Sequence, residues 1–264
     1  MRRFLVELQF NGRKYGGWQK NDNALTVQSV VEEALFKLFG EKIAAEGCSR
    51  TDAGVSAEKY FFHFDADTAL PAERVCYKLD RFLPGDVQAQ SSVETDARFH
   101  ARRDAVGKTY LYRFYEGEHI KPLLNRDAYY AGTRLCEENM RKACEIMSGK
   151  HDFSAFRTPS SSHSSPVKTV RAAYIVKQED LYSFVVTADG FLYNMARIMA
   201  GAAVAAGQGK VTPGEIAEAL ETGVRPAKII TLPPKGLVLK DVEYGDKREK
   251  FAAARNPVDK KSNG

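Results

Sequence analysis

Apolar residues in this chain recur on two periods, and the two periods take turns. Residues 3–10 alternate in steps of two, as a strand with one covered face does. From Val27 to Phe39 the period lengthens. Val27, Val30, Val31, Ala34, Leu35 and Leu38 line one side of a helix, and Gly40 ends it. A strand at 58–64 follows, then a helix opening at Pro71 that turns Val75, Leu79 and Phe82 inward. The alternation then begins afresh. A strand at 108–115 leads to a helix at 137–147 with Met140, Ala143, Cys144 and Met147 on one face. Strands at 170–177 and 182–188 come next, and a helix from about Gly190. Thr212-Pro213-Gly214-Glu215 supplies an N-cap, a proline at the first helical position and a capping-box glutamate, so a short helix runs on to about Thr222.

Strands alternating with single helices in each half predict an α+β fold. It consists of two similar units with mostly antiparallel sheets flanked by helices. The N-terminal unit takes residues 1–105 and the C-terminal unit residues 106–245. Residues 246–264 are polar and lysine-rich with little to bury, and read as a disordered tail. No apolar run reaches the roughly eighteen residues a membrane span needs. The N-terminus passes straight into a strand pattern without a signal-peptide core, which makes the cytoplasm the expected compartment. The formal charge of +5 permits a nucleic-acid partner without demanding one, because the placement of charge matters more than its sum. Cys48, Cys76, Cys136 and Cys144 contain no Cys-X-X-Cys pair, so neither a zinc site nor a disulfide framework is expected.

Candidate chemistry concentrates at Ser49-Arg50-Thr51-Asp52-Ala53-Gly54-Val55. There a carboxylate stands beside an arginine in a turn relieved by glycine. A neighbouring guanidinium favours the ionised carboxylate, which suits a nucleophile or an electrostatic stabiliser. The same triplet is equally the signature of an ordinary turn. Tyr110, in Lys108-Thr109-Tyr110-Leu111-Tyr112-Arg113, is either a half-buried strand aromatic or a platform for an unstacked base. Arg197 interrupts a stretch, 191–206, that is apolar on nearly every face. It either pairs with an anion or reaches the surface along its aliphatic stem. Arg98, Arg102, Arg103, Lys108 and Arg113 interleave with Phe99, His100, Tyr110 and Tyr112, a mixture that fits phosphates and bases. Residues 157–171, with their serine run, read as a mobile loop carrying Arg157, Lys168 and Arg171. Two other motifs fall short. Gly201–Lys210 lacks the first glycine of a P-loop. Asp65-Ala66-Asp67-Thr68 looks like the magnesium-binding motif of haloacid-dehalogenase-type phosphatases, but the later acidic pair behind an apolar strand is missing.

Across residues 1 to about 244 several motifs stand in one order. They are Tyr15-Gly16-Gly17-Trp18-Gln19, Thr26-Val27-Gln28, the Asp52 segment, Phe99-His100-Ala101-Arg102 and Lys108-Thr109-Tyr110. Asp152-Phe153, the run from Asp189 to Met195, Arg197 and Lys235-Gly236-Leu237 complete the set. Together they resemble the tRNA pseudouridine synthase A family. Ser49, Ser56 and Asn21 depart from the family's usual Gly, His and Gln. The resemblance implies isomerisation of uridine to pseudouridine in the anticodon stem-loop of tRNA, with no cofactor and no metal in the chemistry. It implies an active cleft between the two units, with Asp52 as nucleophile and Arg50 and Arg197 orienting it. Tyr110 and Leu237 would then hold the target base, and Gln19, Phe99, His100, Arg102 and Lys108 would touch the RNA. A homodimer is implied as well. A non-catalytic RNA-binding protein of the same fold is the alternative.

Overall fold

A computed structural model of the chain describes residues 1–132, 134–159 and 165–245. The tail expected at 246–264 and the serines at 160–164 lie outside the described residues. The architecture is α+β, a large and mostly antiparallel sheet flanked by helices, as the alternation predicts. The chain divides into two compact units. One is Met1–Val106 together with residues 241–245, and the other is Gly107–Lys240.

In the first unit the order is β1 (Arg2–Phe10), α1 (Val27–Phe39), β2 (Glu46–Gly47), β3 (Ser56–Ala66), α2 (Ala72–Asp80) and β4 (Val87–Thr95). β1 lies between β3 and β4, antiparallel to both, and β2 adds to β3. α1 has the predicted bounds. Thr26 and Ser29 close a capping box at its start, and Gly40 ends it at φ 77°, a left-handed conformation that glycine adopts without strain. α2 buries Val75 and Leu79 as expected. Phe82 does not follow them: the helix stops at Asp80, so Phe82 falls outside the inward stripe and is exposed. Strand β4 was not anticipated, because its polar residues dilute the period. Tyr244 closes this unit, its ring against Phe61 and Phe99 and its hydroxyl donating to the Ala101 carbonyl at 2.8 Å.

The second unit runs β5 (Gly107–Tyr115), α3 (Pro122–Asn125), β6 (Tyr129–Tyr130), α4 (Glu137–Met147), β7 (Gly149–Asp152), β8 (Val167–Gln178), β9 (Leu181–Ala188), α5 (Met195–Gly207) and α6 (Pro213–Thr222). The last strand, β10 (Leu237–Glu243), begins here. Antiparallel pairing gives the order β7-β8-β9-β5, with β6 parallel to β5. One face of this sheet carries Tyr110, Tyr112, Phe114, Tyr182, Phe184 and Val186, all buried, with Phe114 and Tyr182 stacked at 5.2 Å. α4 buries the four predicted residues, and α6 has the predicted capping box. Burial pushes the Cys144 thiol up to about 12, consistent with a core position. Two expectations change. α5 starts at Met195 rather than near Gly190, because Asn194 takes φ 62° at the N-cap and cannot continue a helix backwards. Lys168 and Arg171 belong to β8 and not to a loop, with Arg171 at the bulge between Val170 and Ala172.

Candidate active site

Two of the sequence motifs meet at Asp52. The Val55 N–H donates to the Asp52 carbonyl at 3.2 Å and Gly54 takes φ 80°, which closes a tight turn with glycine at its left-handed position. The turn is tied from beneath. The Gly54 N–H donates to the Tyr15 carbonyl at 3.1 Å, and the Trp18 N–H to the Thr51 carbonyl at 3.2 Å. Gly17, at φ 92°, lies so close that a Cβ there would overlap the Thr51 carbonyl oxygen. Gly17 of Tyr15-Gly16-Gly17-Trp18 is therefore the packing partner of the aspartate turn, whereas Gly16 lies against Ala24. Trp18 stacks on Tyr60 at 4.3 Å, and the Tyr60 hydroxyl donates to the Ser49 carbonyl. The Tyr15 hydroxyl donates to Asp86 at 2.6 Å, and burial together with that bond raises its pKa. Ser49, Thr51 and Val55 are buried, Asp52 is half-buried, and Arg50 is exposed. A carboxylate is thus presented on a turn whose backbone has little freedom to move.

The second unit holds Tyr110, Arg197 and Leu237. Tyr110 lies at the centre of β5 opposite Val186, with its ring edge-on to Phe191 at 4.9 Å. Arg197 stands in the first turn of α5. It does not simply run out to solvent: its Nε donates to the Leu232 carbonyl at 2.6 Å and its Nη1 to Asn194 Oδ1 at 2.8 Å. Asn194 in turn donates to Thr158 at 2.9 Å. The next carbonyl, of Pro233, accepts from the Tyr112 hydroxyl at 2.7 Å. Lys235 donates to the Asn125 backbone and side chain, and Gly236 packs so closely on Arg113 and Tyr112 that no Cβ fits. Arg197 and Tyr112 therefore fix consecutive carbonyls of the segment that delivers buried Leu237. Lys108, opposite Ala188, is half-buried.

The remaining candidates are spread through the first unit. Gln19 is exposed and donates to Gln28 at 3.1 Å. Phe99 is buried against Tyr244. His100 is half-buried and Arg102 exposed. Asp65 of the phosphatase-like motif is held by Arg3 through two bonds of 2.7 and 2.6 Å, and the guanidinium lowers its pKa. An aspartate so engaged, on an antiparallel strand, has no part in a phosphatase site, which requires a parallel sheet. Among the described residues no group of three or more His, Cys, Asp or Glu side chains is placed to hold a metal ion. Sequence reasoning gave no role to Asp86 or His63, and named Tyr15, Tyr112 and Asn194 only as members of motifs. For Asn194 there was a signal, since asparagine is among the few residues other than glycine that readily turn left-handed.

The sequence model for tRNA pseudouridine synthase matches residues 143–245. Curated relatives match over a longer span. A tRNA pseudouridine synthase A of Acetivibrio thermocellus is 38% identical over 244 residues, which is 92% of this chain and all of the relative. Those of Clostridium botulinum and Caldicellulosiruptor bescii are 37% and 38% identical, with the same coverage of each chain.

Proposed function

The chain belongs to the tRNA pseudouridine synthase A family and isomerises uridine to pseudouridine in tRNA, and on that premise we propose that Asp52 is the carboxylate that carries the reaction, at uridines of the anticodon stem-loop. The reaction breaks the ribose C1′–N1 bond, joins C1′ to C5 and releases the C5 proton while N1 gains one. Positive charge develops at C1′ when the base departs, as in glycoside hydrolysis, and a fixed anion stabilises it. Asp52 serves either as nucleophile at C1′ or as the group that leads through a glycal. A uridine inside a stem must first be flipped out, at a cost of a few kcal/mol that RNA contacts offset.

The observation that carries this reading is the aspartate turn itself. A half-exposed aspartate is held on its turn by backbone bonds at Thr51 and Gly54 and by the close approach of Gly17, where no side chain fits. In the proposal Arg50 and Arg197 orient Asp52, Tyr110 stacks on the flipped base and Leu237 packs against it. Gln19, His100, Arg102 and Lys108 serve the surrounding RNA, and Phe99, buried against Tyr244, anchors the loop that carries His100 and Arg102. The test is release of tritium from tRNA carrying 5-tritiated uridine, which only chemistry at C5 produces. Asp52→Asn keeps the side chain's shape and removes its charge, so it should abolish release while leaving tRNA affinity nearly intact. Activity within about tenfold of the parent would sink the assignment.

We also propose a homodimer. Supporting it is the second face of the β5-β9-β8 sheet, where Leu111, Val185 and Tyr174 form one cross-strand row and Arg113, Ser183 and Val176 the next. Tyr174, Val176 and the adjacent Leu123 are exposed there, so several apolar side chains face outward near one another. A monomer mass by sedimentation equilibrium at micromolar protein would end that proposal. No helix among the described residues is long and apolar enough to cross a membrane. We place the enzyme in the cytoplasm with its substrate, which cell fractionation checks.

A further inference from the structure

We infer that His63 is a positioning residue for RNA binding: its imidazole pins the backbone of the loop 96–104 so that Arg98, Arg102 and Arg103 face the phosphodiester backbone of the tRNA. The inference rests on the tRNA substrate and extends the RNA-contact role proposed for that loop, independently of the role of Asp52.

The loop exposes three cations and one anion, Arg98 pairing with Asp96 at 3.7 Å. Phe99 and Ala101 point inward and are buried, whereas Arg98, Arg102 and Arg103 are exposed. Three groups grip its backbone from below. The Arg3 guanidinium, already paired with Asp65, donates to the Phe99 carbonyl at 2.8 Å. The Tyr244 hydroxyl donates to the Ala101 carbonyl. His63 Nδ1 accepts the Ala101 N–H at 3.2 Å, and this is a buried bond. Within the loop, His100 Nδ1 accepts the Arg102 N–H at 3.1 Å, and Asp104 accepts the His100 N–H at 2.8 Å. His63 is 5% exposed, and the two imidazoles lie 4.8 Å apart.

His63 fills this role only when neutral, because a protonated imidazole has no acceptor to offer an N–H. Its surroundings keep it neutral. Burial first, then the nearby Arg3 and His100, push its pKa down to about 4, against the opposing pull of Asp65. Nothing in this cluster is required by the chemistry at Asp52. A buried histidine that accepts from a loop between exposed arginines makes physical sense as a clamp on those arginines.

The experiment uses the full chain and tRNA. Dissociation constants are measured from about 50 to 200 mM salt, and kcat and KM by tritium release. His63→Phe removes the acceptor and keeps a planar ring. His63→Asn places an amide oxygen where Nδ1 stands. Expected for His63→Phe is a rise in Kd and KM of about tenfold and a salt slope shallower by about one per arginine withdrawn, with kcat within about twofold. His63→Asn should restore most of the affinity and slope. A folded His63→Phe enzyme with unchanged Kd and slope overturns the inference, as does a fall in kcat with KM unchanged. Should His63→Phe fail to fold, the pair Arg102→Gln and Arg103→Gln decides, and an unchanged slope in that variant also overturns it. Failure here leaves tritium release by the parent intact, whereas failure of the Asp52 reading shows as an active Asp52→Asn.

Discussion

Replacing Arg197 by methionine separates what this arginine does for the fold from what it does for turnover. Methionine keeps most of the apolar stem among the buried residues of α5 and removes the guanidinium. Two acceptors then lose their donor: the Leu232 carbonyl, bonded at 2.6 Å, and Asn194 Oδ1, bonded at 2.8 Å. Bonds to a charged donor contribute about 1.5–3 kcal/mol each, and partial exposure of the pair reduces that. The expected loss is about 2–4 kcal/mol, larger than an arginine reaching into solvent would cost. Equilibrium urea unfolding reads the total. Native-state hydrogen exchange at Ile198, whose N–H donates to the Asn194 carbonyl, reads the helix start. A loss below about 0.5 kcal/mol would refute the argument, since the two bonds would then contribute nothing. Turnover should fall further than stability accounts for if Arg197 also orients Asp52. A double-mutant cycle with Asp52→Asn measures that coupling, and additivity within a few tenths of a kcal/mol would remove Arg197 from the proposed machinery.

Gly17→Ala should destabilise the aspartate turn by about 2 kcal/mol or more, because φ 92° is strained for alanine and its Cβ overlaps the Thr51 carbonyl. A melting temperature within a degree of the parent, with full activity, would show that the backbones are not so close. Asp65→Ala should keep isomerase activity in EDTA on tRNA prefolded in monovalent salt, at a cost of about 1–2 kcal/mol from the lost Arg3 pair. Magnesium-dependent phosphatase activity that disappears with Asp65 would revive the rejected motif. Stability should also depend on pH through His63. Its folded pKa is about 4 against 6.5 for the free side chain, so the unfolded chain takes up a proton that the folded chain refuses. Stability from this group is complete above the unfolded value and is lost as pH falls toward 4, by about 2 kcal/mol at pH 5. His63→Asn should flatten that part of the urea-derived stability curve, and an unchanged slope would assign the dependence to other groups.

Where local rules governed the chain, they could be read directly from it. α1 runs from Val27 to Phe39 because Thr26 caps it, one face is apolar and Gly40 can turn left-handed. The same is true of α6 with its capping box and of α4 with its buried stripe. The Asp52 segment stood out as candidate chemistry because its arginine, acid and glycine are adjacent, and the ordered motifs pointed to the family that the curated relatives establish. The start of α5 was not legible, since the hydrophobic period continues through Phe191 and Leu192 while one left-handed residue, Asn194, breaks the helix. Nor could the sequence show that Gly17 packs under Thr51, that Arg197 bonds to Leu232, or that His63 accepts from Ala101. Those partners lie about 34 to 38 residues apart along the chain. Periodicity and capping act over a few residues through backbone sterics and neighbouring side chains. A hydrogen bond between distant residues exists only once the sheet has brought them together, so tertiary structure alone decided which polar groups hold the site in place.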